Sequence, residues 1–343
     1  QKIQEYFEAP LPATALLGKY EPLGLLGKSH SFVVLLQSIE SAARCDVRVL
    51  LQGGSGTGKE LIAKAIHKFS VRSNRPFVAI DCGAIPAHLL ESELFGHVKG
   101  AFTGAITDRK GLFQEADHGT LVMDEIANLP LDMQTKLMRV LPERELRPLG
   151  SNKPRKIDVR IITATSSWLK DLVQEKKFRE DLFYRIYVYP IQVPSLSDRC
   201  DDIPLLANHF LRKFAAQQKK QTEAIRADVL DFMRERNWDG NVRELENFVE
   251  RLVAFASQNS KIIGRELLPD DLREEMRQVK FVYDDSQVPK SLTEKLAEYE
   301  EDLVRDALKA HNWNQSRAAR ALKIPVQTIR YKMNKLGIEK ESD

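Results

Sequence analysis

Apolar residues recur along this chain in two alternating patterns. Short, nearly continuous apolar runs occur at Val49-Leu50-Leu51, Phe77-Val78-Ala79-Ile80, Leu121-Val122-Met123, Val159-Arg160-Ile161-Ile162 and Tyr189-Pro190-Ile191-Gln192-Val193. Between them the apolar positions fall at helical spacing. That alternation predicts an α/β fold, a mostly parallel sheet covered by helices. Antiparallel strands packed on one face are the alternative the pattern leaves open. The alternation runs from Leu23 to about Pro194, so residues 23–197 form one α/β domain. Residues 1–22 are polar and proline-containing and read as a linker. From 198 to 272 β-rich runs cease. Ile203 through Phe214 and Val242 through Phe255 have helical periodicity, which predicts a small helical domain. Residues 273–292 are charged and irregular, a second linker, and 293–338 are helical again, within a last domain of residues 293–343.

Composition bounds the class. The chain has 343 residues, 43% hydrophobic and 29% charged, with a net charge of +3. That is an ordinary globular composition with length for two or three domains. No run of about 18 apolar residues exists, so no segment is expected to span a membrane. Cys45, Cys82 and Cys200 are scattered and odd in number, which fits a reducing cytoplasm. The histidines and cysteines have no zinc-type spacing, so no structural metal is expected. The chain begins at Gln1 rather than Met and carries no secretory signal. That start leaves open a fragment whose upstream domain is missing.

Local chemistry is more specific. Gly53, Gly54, Ser55, Gly56, Thr57, Gly58 and Lys59 follow a predicted strand and open a helical stretch from Glu60 to Phe69. This is the context of a phosphate-binding P-loop, in which backbone N–H groups face phosphate oxygens and the helix N-terminus adds positive potential. Lys59 would reach the β- and γ-phosphates. Glu60 stands where Ser or Thr usually meets magnesium. Downstream, Gly119-Thr120-Leu121-Val122-Met123-Asp124-Glu125 is an apolar strand ending in two carboxylates, as in a Walker B motif. Asp124 would hold magnesium through water and Glu125 would polarise the attacking water. Alone, such a pair is more often a solvated strand end; behind a P-loop it points to ATP hydrolysis. Hydrolysis also needs positive charge on the γ-phosphate, and Lys177-Phe178-Arg179-Glu180-Asp181-Leu182-Phe183-Tyr184-Arg185 offers Arg179 and Arg185. On sequence alone these also fit a helix surface of Arg–acid pairs. Trp238-Asp239-Gly240-Asn241-Val242-Arg243-Glu244-Leu245 carries a further arginine at a helix start, Arg243, with a structural pair to Glu246 or Glu250 as its alternative.

Residues Gly100-Ala101-Phe102-Thr103-Gly104-Ala105 spell GAFTGA without interruption. Glycines at both ends let such a loop fold back on itself. Its phenylalanine is either buried in its own domain or waits for a partner. With the P-loop and the Asp-Glu strand, this hexapeptide resembles the sigma-54-dependent activators, the NtrC-type enhancer-binding proteins. The resemblance covers about residues 23–272 and the C-terminal module. It implies an AAA+ ATPase domain with a helical lid, ATP and Mg2+ as cofactors, and a homo-oligomeric ring, usually a hexamer. It implies that Arg179 and Arg185 act in trans on a neighbour's nucleotide and that Arg243 is the second sensor. Phe102 and Thr103 would touch sigma-54 in the RNA polymerase holoenzyme, and the ATP cycle would raise and lower them.

Two positions depart from the family pattern. Asp81 stands where Asn is common, and that amide is thought to hold the catalytic glutamate. A carboxylate there would repel Glu125 unless protonated or bridged by a cation. Ser166 stands where Asn is usual at the first sensor. Both lie in the coupling machinery, so hydrolysis is expected to persist with an altered link to the loop.

The C-terminal end carries a second signal. Asn314 through Leu322 reads as a short helix with Ala318, Ala319 and Leu322 inward. Lys323-Ile324-Pro325 makes the turn, and Val326 through Leu336 makes a second helix closed by Gly337. Residues 315–337 hold the basic residues Arg317, Arg320, Lys323, Arg330, Lys332 and Lys335 and no acidic one. That segregation suits a face turned to phosphate. A solvated basic helix pair or a protein-binding hairpin is the plainer alternative. The module resembles a Fis-type helix-turn-helix, which pairs as a dimer and reads inverted repeats in double-stranded DNA. Gln327, Thr328, Arg330 and Tyr331 would read bases or nearby phosphates. Arg317 and Arg320 would grip the backbone, with Lys332 on the same face. The preferred reading is therefore a transcription activator that remodels sigma-54 polymerase from closed to open complex. One rival is a DNA-binding regulator whose ring no longer engages sigma-54. The other is a different nucleic-acid motor, such as a helicase loader or Holliday-junction ATPase, but those lack this loop.

Overall fold

The computed structural model describes residues 12–282, 304, 307–308, 311, 313–322 and 324–336. The chain divides into two compact units, residues 1–273 and 274–343. The centre of the first is a five-stranded sheet: β1 Val49–Gln52, β2 Phe77–Asp81, β3 Thr120–Asp124, β4 Arg160–Thr165 and β5 Tyr189–Gln192. The strands lie in the order β2-β3-β4-β1-β5, and every neighbouring pair is parallel. The antiparallel alternative is thereby excluded.

Helices cover both faces, as residue alternation along the strands requires. Leu50, Ile80, Leu121, Met123 and Ile161 face one apolar cluster, closed by Leu94, Met133, Leu137 and Leu182. Their neighbours Val49, Leu51, Val122, Ile162 and Ile191 face the other, with Phe32, Leu36, Ile39, Ile62 and Ile66. The central strands β1, β3 and β4 are buried on both sides and read as continuous apolar runs, which is why they were visible in the sequence. Register then builds the site. Asp81 lies beside Asp124, and Gln52 beside Thr165. The carboxyl ends of β1, β2, β3 and β4 therefore share one edge.

Two expected linkers begin or end as ordered helix. Ala13–Tyr20 is a helix whose Leu16 and Tyr20 are buried in the second cluster. The Tyr20 hydroxyl donates to Glu40 at 2.8 Å. Eight residues are too few to display a periodicity, and the nearby prolines masked this one. Asp270–Val282 is also helical, so a helix begins inside the expected 198–272 domain and runs into the expected linker. Leu272 and Met276 are buried at helical spacing within a charged stretch. In the helical subdomain, Ile203–Gln217 packs on Asn241–Phe255 through Leu206, Phe210 and Phe214 on one side and Leu245, Phe248 and Leu252 on the other.

In the second unit the helices are Gln315–Ala321 and Val326–Leu336. Ala318, Ala319 and Ile329 are buried with Val304 and Leu308, and Leu322 packs against them. Pro325 opens the second helix, its carbonyl accepting from the Thr328 N–H at 2.9 Å. Lys323 and Gly337 lie outside the described residues. Among the described residues no helix is long and apolar enough to cross a membrane.

Candidate functional site

The P-loop leaves β1 at Gly53 and enters the helix Lys59–Lys68. Lys59 is buried, and its Nζ donates to the Gly53 carbonyl at 2.9 Å and the Gly54 carbonyl at 3.1 Å. Thr57 Oγ1 donates to the Gly54 carbonyl at 2.9 Å, which tightens the turn. Across the loop, Lys59 Nζ lies 3.8 Å from Glu125 Oε1. Asp124 Oδ1 accepts the N–H of Glu125 at 2.9 Å, and Glu125 itself has a positive φ of 47°. That conformation turns its side chain away from the strand direction.

Ser166, at the end of β4, holds Glu125. Its Oγ donates to Glu125 Oε2 at 2.9 Å and its backbone N–H to the same oxygen at 3.1 Å. Asp81 makes no hydrogen bond to Glu125; its Oδ1 accepts the N–H of Gly83 at 2.8 Å. The expected Asp81 repulsion is nevertheless felt one residue away. Burial raises the Asp124 carboxyl above the usual carboxylate range, and the charges of Glu125 and Asp81 add to it, against Lys59 and the Glu125 N–H. A carboxylate crowded by two others is suited to a divalent cation. Cys82 beside them is no nucleophile, since burial first and these acids next push its thiol up to about 12.

The helical subdomain closes over the loop. Asn241 Nδ2 donates to the Ser55 carbonyl at 2.9 Å, while its Oδ1 accepts the Leu196 N–H at 2.8 Å. The Arg243 N–H donates to the Gly56 carbonyl at 3.3 Å, and the Arg243 side chain is exposed beside the loop. The approach is so close that a Cβ on Gly56, whose φ is +73°, would lie 2.1 Å from the Gly240 carbonyl oxygen. Asn241 was quoted in the sequence but not singled out. It starts its helix at a positive φ of 51°, a conformation Asn tolerates. Behind Gly58 is a cavity of about 320 Å³ walled by Leu25, Leu26 and Phe32 below and Leu206, Phe210 and Val242 above. This apolar slot beside a phosphate loop has the lining a planar base requires. Nothing in the local sequence marks it, because it forms between segments about 180 residues apart.

Other expected residues stand apart. Glu60 is exposed and pairs with Lys64 at 2.6 Å, so it is not gathered with Asp124. Arg179 is held by Asp181 in a two-point pair at 3.0 and 2.7 Å. Arg185 is half-buried near Arg48 and Arg144.

The GAFTGA loop rises from a short antiparallel pair, Gly96–His97 with Arg109–Lys110. Gly100 and Gly104 have φ of +83° and +103°, left-handed values that glycine adopts at little cost. The Gly100 N–H donates to the Ala105 carbonyl at 2.9 Å and closes the loop. Phe102 is 43% exposed, with its ring edge-on to His97 at 5.0 Å between centroids. A second hairpin, Glu145–Leu146 with Arg155–Lys156, supports it: the Val98 N–H donates to the Leu149 carbonyl at 3.0 Å.

In the second unit Arg320, Gln327 and Tyr331 are exposed, and Thr328 and Lys332 half-buried. Arg317 and Arg330 lie within the two helices, but their side chains are outside the described residues.

Residues 25–192 match the model of the sigma-54 interaction domain, 197–281 that of the AAA+ ATPase lid domain, and 290–336 that of the bacterial regulatory protein, Fis family. The chain is 41% identical over 340 residues to the transcriptional regulatory protein ZraR of Salmonella typhimurium, covering 97% of this chain and 75% of ZraR. It is 40% identical to the DNA-binding transcriptional regulator NtrC of Rhizobium meliloti, over 92% of this chain and 70% of NtrC. This chain belongs to the NtrC-like family of sigma-54-dependent transcriptional regulators. It spans 61% of the length of another relative, GlrR of Escherichia coli, at 46% identity. Among solved structures, NtrX from Brucella abortus in complex with ATP is similar at a TM-score of 0.66 and 33% identity, over 91% of this chain and 69% of that one.

Proposed function

We propose that this chain is an ATPase that binds upstream DNA and uses hydrolysis to remodel sigma-54 RNA polymerase from closed to open complex. One observation carries the reading. Lys59, Asp124 and Glu125 meet at one sheet edge, the helical subdomain brings the Arg243 N–H onto Gly56 beside them, and the α/β domain presents an exposed Phe102 on a glycine-bounded loop. The P-loop amides of Gly53, Gly54, Ser55, Gly56, Thr57 and Gly58 would cradle the phosphates, with the base in the apolar slot. Mg2+, when bound with ATP, supplies counter-charge at the β- and γ-phosphates, and the Asp124 carboxylate fits that cation. Glu125 would orient and polarise the attacking water.

Assembly as a ring, most simply a hexamer, supports trans action by Arg179 and Arg185. Arg179 must leave Asp181 to reach a neighbour. Phe102 and Thr103 would press on sigma-54 as the loop rises. The helix-turn-helix would dock through Gln327, Thr328, Arg330 and Tyr331, with Arg317, Arg320 and Lys332 on phosphates. The deciding experiment is open-complex formation on a sigma-54 promoter with ATP, for this chain and for Thr103→Ala. The parent melts the promoter and the variant does not. Absence of melting by the parent overturns the reading.

A further inference from the structure

At the opposite edge of the sheet from the P-loop, the segments leading into β1 and β4 meet the ends of Leu131–Glu143 and Glu180–Ile186. They enclose a cavity of about 430 Å³ whose polar lining is basic: Arg48, Arg72, Arg144, Arg160 and Arg185, with Asp46 as an acid. The acid is already engaged. Asp46 takes both Nε and Nη2 of Arg72, at 2.9 and 2.7 Å. Arg144 reaches Asp158 at 3.3 Å. Arg48 and Arg185 are half-buried, and neither has a side-chain hydrogen bond or ion pair among the described residues.

Arg160 supplies a separate observation. It is 3% exposed. Its Nη2 donates to the Ala42 carbonyl at 2.6 Å, while its Nη1 is buried without a hydrogen-bond partner. A buried guanidinium N–H left unpaired is costly, and Asp46 and Asp158, engaged with Arg72 and Arg144, leave the charges of Arg48 and Arg185 unbalanced. Burial first, then the nearby charges of Arg185 and Arg144, hold the Arg48 guanidinium below its ordinary value. An anion with several oxygens removes both costs at once, because planar guanidinium groups match phosphate oxygens.

We propose that this cavity is a phosphate-oxyanion site, with Arg48 and Arg185 as its principal ligands and Arg144 and Arg160 as supporting charge. The phosphate comes either from a nucleotide carried by a second copy of this chain or from a free phosphate compound. Where the phosphate belongs to a second copy's nucleotide, Arg48 joins Arg185 in contacting it. The site stands whether or not the chain engages sigma-54 polymerase, and its test does not involve transcription.

The probe is inorganic pyrophosphate, titrated calorimetrically into full-length Lys59→Ala, whose P-loop is disabled. One site per chain is expected. Adding Arg48→Gln weakens that binding at least tenfold without lowering the melting temperature, and Arg144→Gln weakens it less. No binding to Lys59→Ala, or binding indifferent to Arg48→Gln, overturns the proposal. Turnover then separates the sources. Arg48→Gln with full ATPase activity assigns the site to a free phosphate compound. Activity lost in Arg48→Gln and regained on mixing with Lys59→Ala copies assigns it to a nucleotide on a second copy. Activity lost and not regained counts against the proposal.

Discussion

Ser166 Oγ donates to Glu125 Oε2 at 2.9 Å, and the Ser166 N–H binds the same oxygen at 3.1 Å. The hold on Glu125 therefore comes from the residue that follows β4, across 41 residues of sequence, and not from Asp81 on β2. An ionised carboxylate only accepts hydrogen bonds, so in that form Asp81 does not replace an amide there. A hydrogen bond to a charged group contributes about 1.5 kcal/mol at the lower end of its range, roughly tenfold in rate. Ser166→Ala is expected to lower kcat roughly tenfold and leave nucleotide affinity unchanged. Steady-state ATPase assays beside fluorescent-nucleotide titration check the split. A variant that turns over normally removes Ser166 from the account.

Asp124 gives a pH dependence. Burial, with Glu125 and Asp81, raises its carboxyl above the ordinary value. The folded chain then holds this proton to higher pH than the unfolded chain does. Stability from this group is greatest below the ordinary value and falls as pH rises through the window up to the raised one. Catalysis needs the ionised form, so the acid limb of turnover lies above the usual carboxylate range, and saturating Mg2+ moves it to lower pH. The check is a pH–rate profile at low and high Mg2+. A limb in the ordinary range that ignores Mg2+ contradicts the assignment.

Gly56 is where the helical subdomain meets the phosphate loop. Its φ of +73° already disfavours a side chain, and a Cβ would meet the Gly240 carbonyl at 2.1 Å. Gly56→Ala must lift the start of Asn241–Phe255 off the loop. The expected result is ATP binding at least tenfold weaker, read by equilibrium titration, with the helix-turn-helix still binding DNA.

Lys59→Ala separates the two activities. The P-loop lies in residues 1–273 and the helix-turn-helix in 274–343. The variant should lose nucleotide binding and retain its DNA gel shift. A gel-shift loss matching the ATPase loss counts against that separation.

The sheet and the phosphate loop were readable because each is local. Three central strands buried on both faces and two partly exposed edge strands each carry an apolar run, and Gly53 through Lys59 is one contiguous turn. The short helix Ala13–Tyr20 escaped because Leu16 and Tyr20 offer only one helical repeat. Asp270–Val282 escaped because Leu272 and Met276 sit among charges that read as a linker. The contacts that complete the site are tertiary. Asn241 reaches Ser55 across 186 residues, and the apolar slot needs Phe32 beside Phe210. Arg48 and Arg185 meet only when β1 and the end of Glu180–Ile186 come together. No spacing along the chain announces such pairs.

The central claim is that a γ-phosphate at Lys59, Asp124 and Glu125 moves the Phe102–Thr103 tip. Ile106, 77% exposed at the base of that tip, accepts a spin label as Ile106→Cys, and Cys200 is exposed on the domain body as the second labelling site, with Cys45 replaced by serine. Electron–electron distance measurement on the assembled protein should give different distances with a non-hydrolysable ATP analogue and with ADP. The same distance distribution in both states would contradict the account.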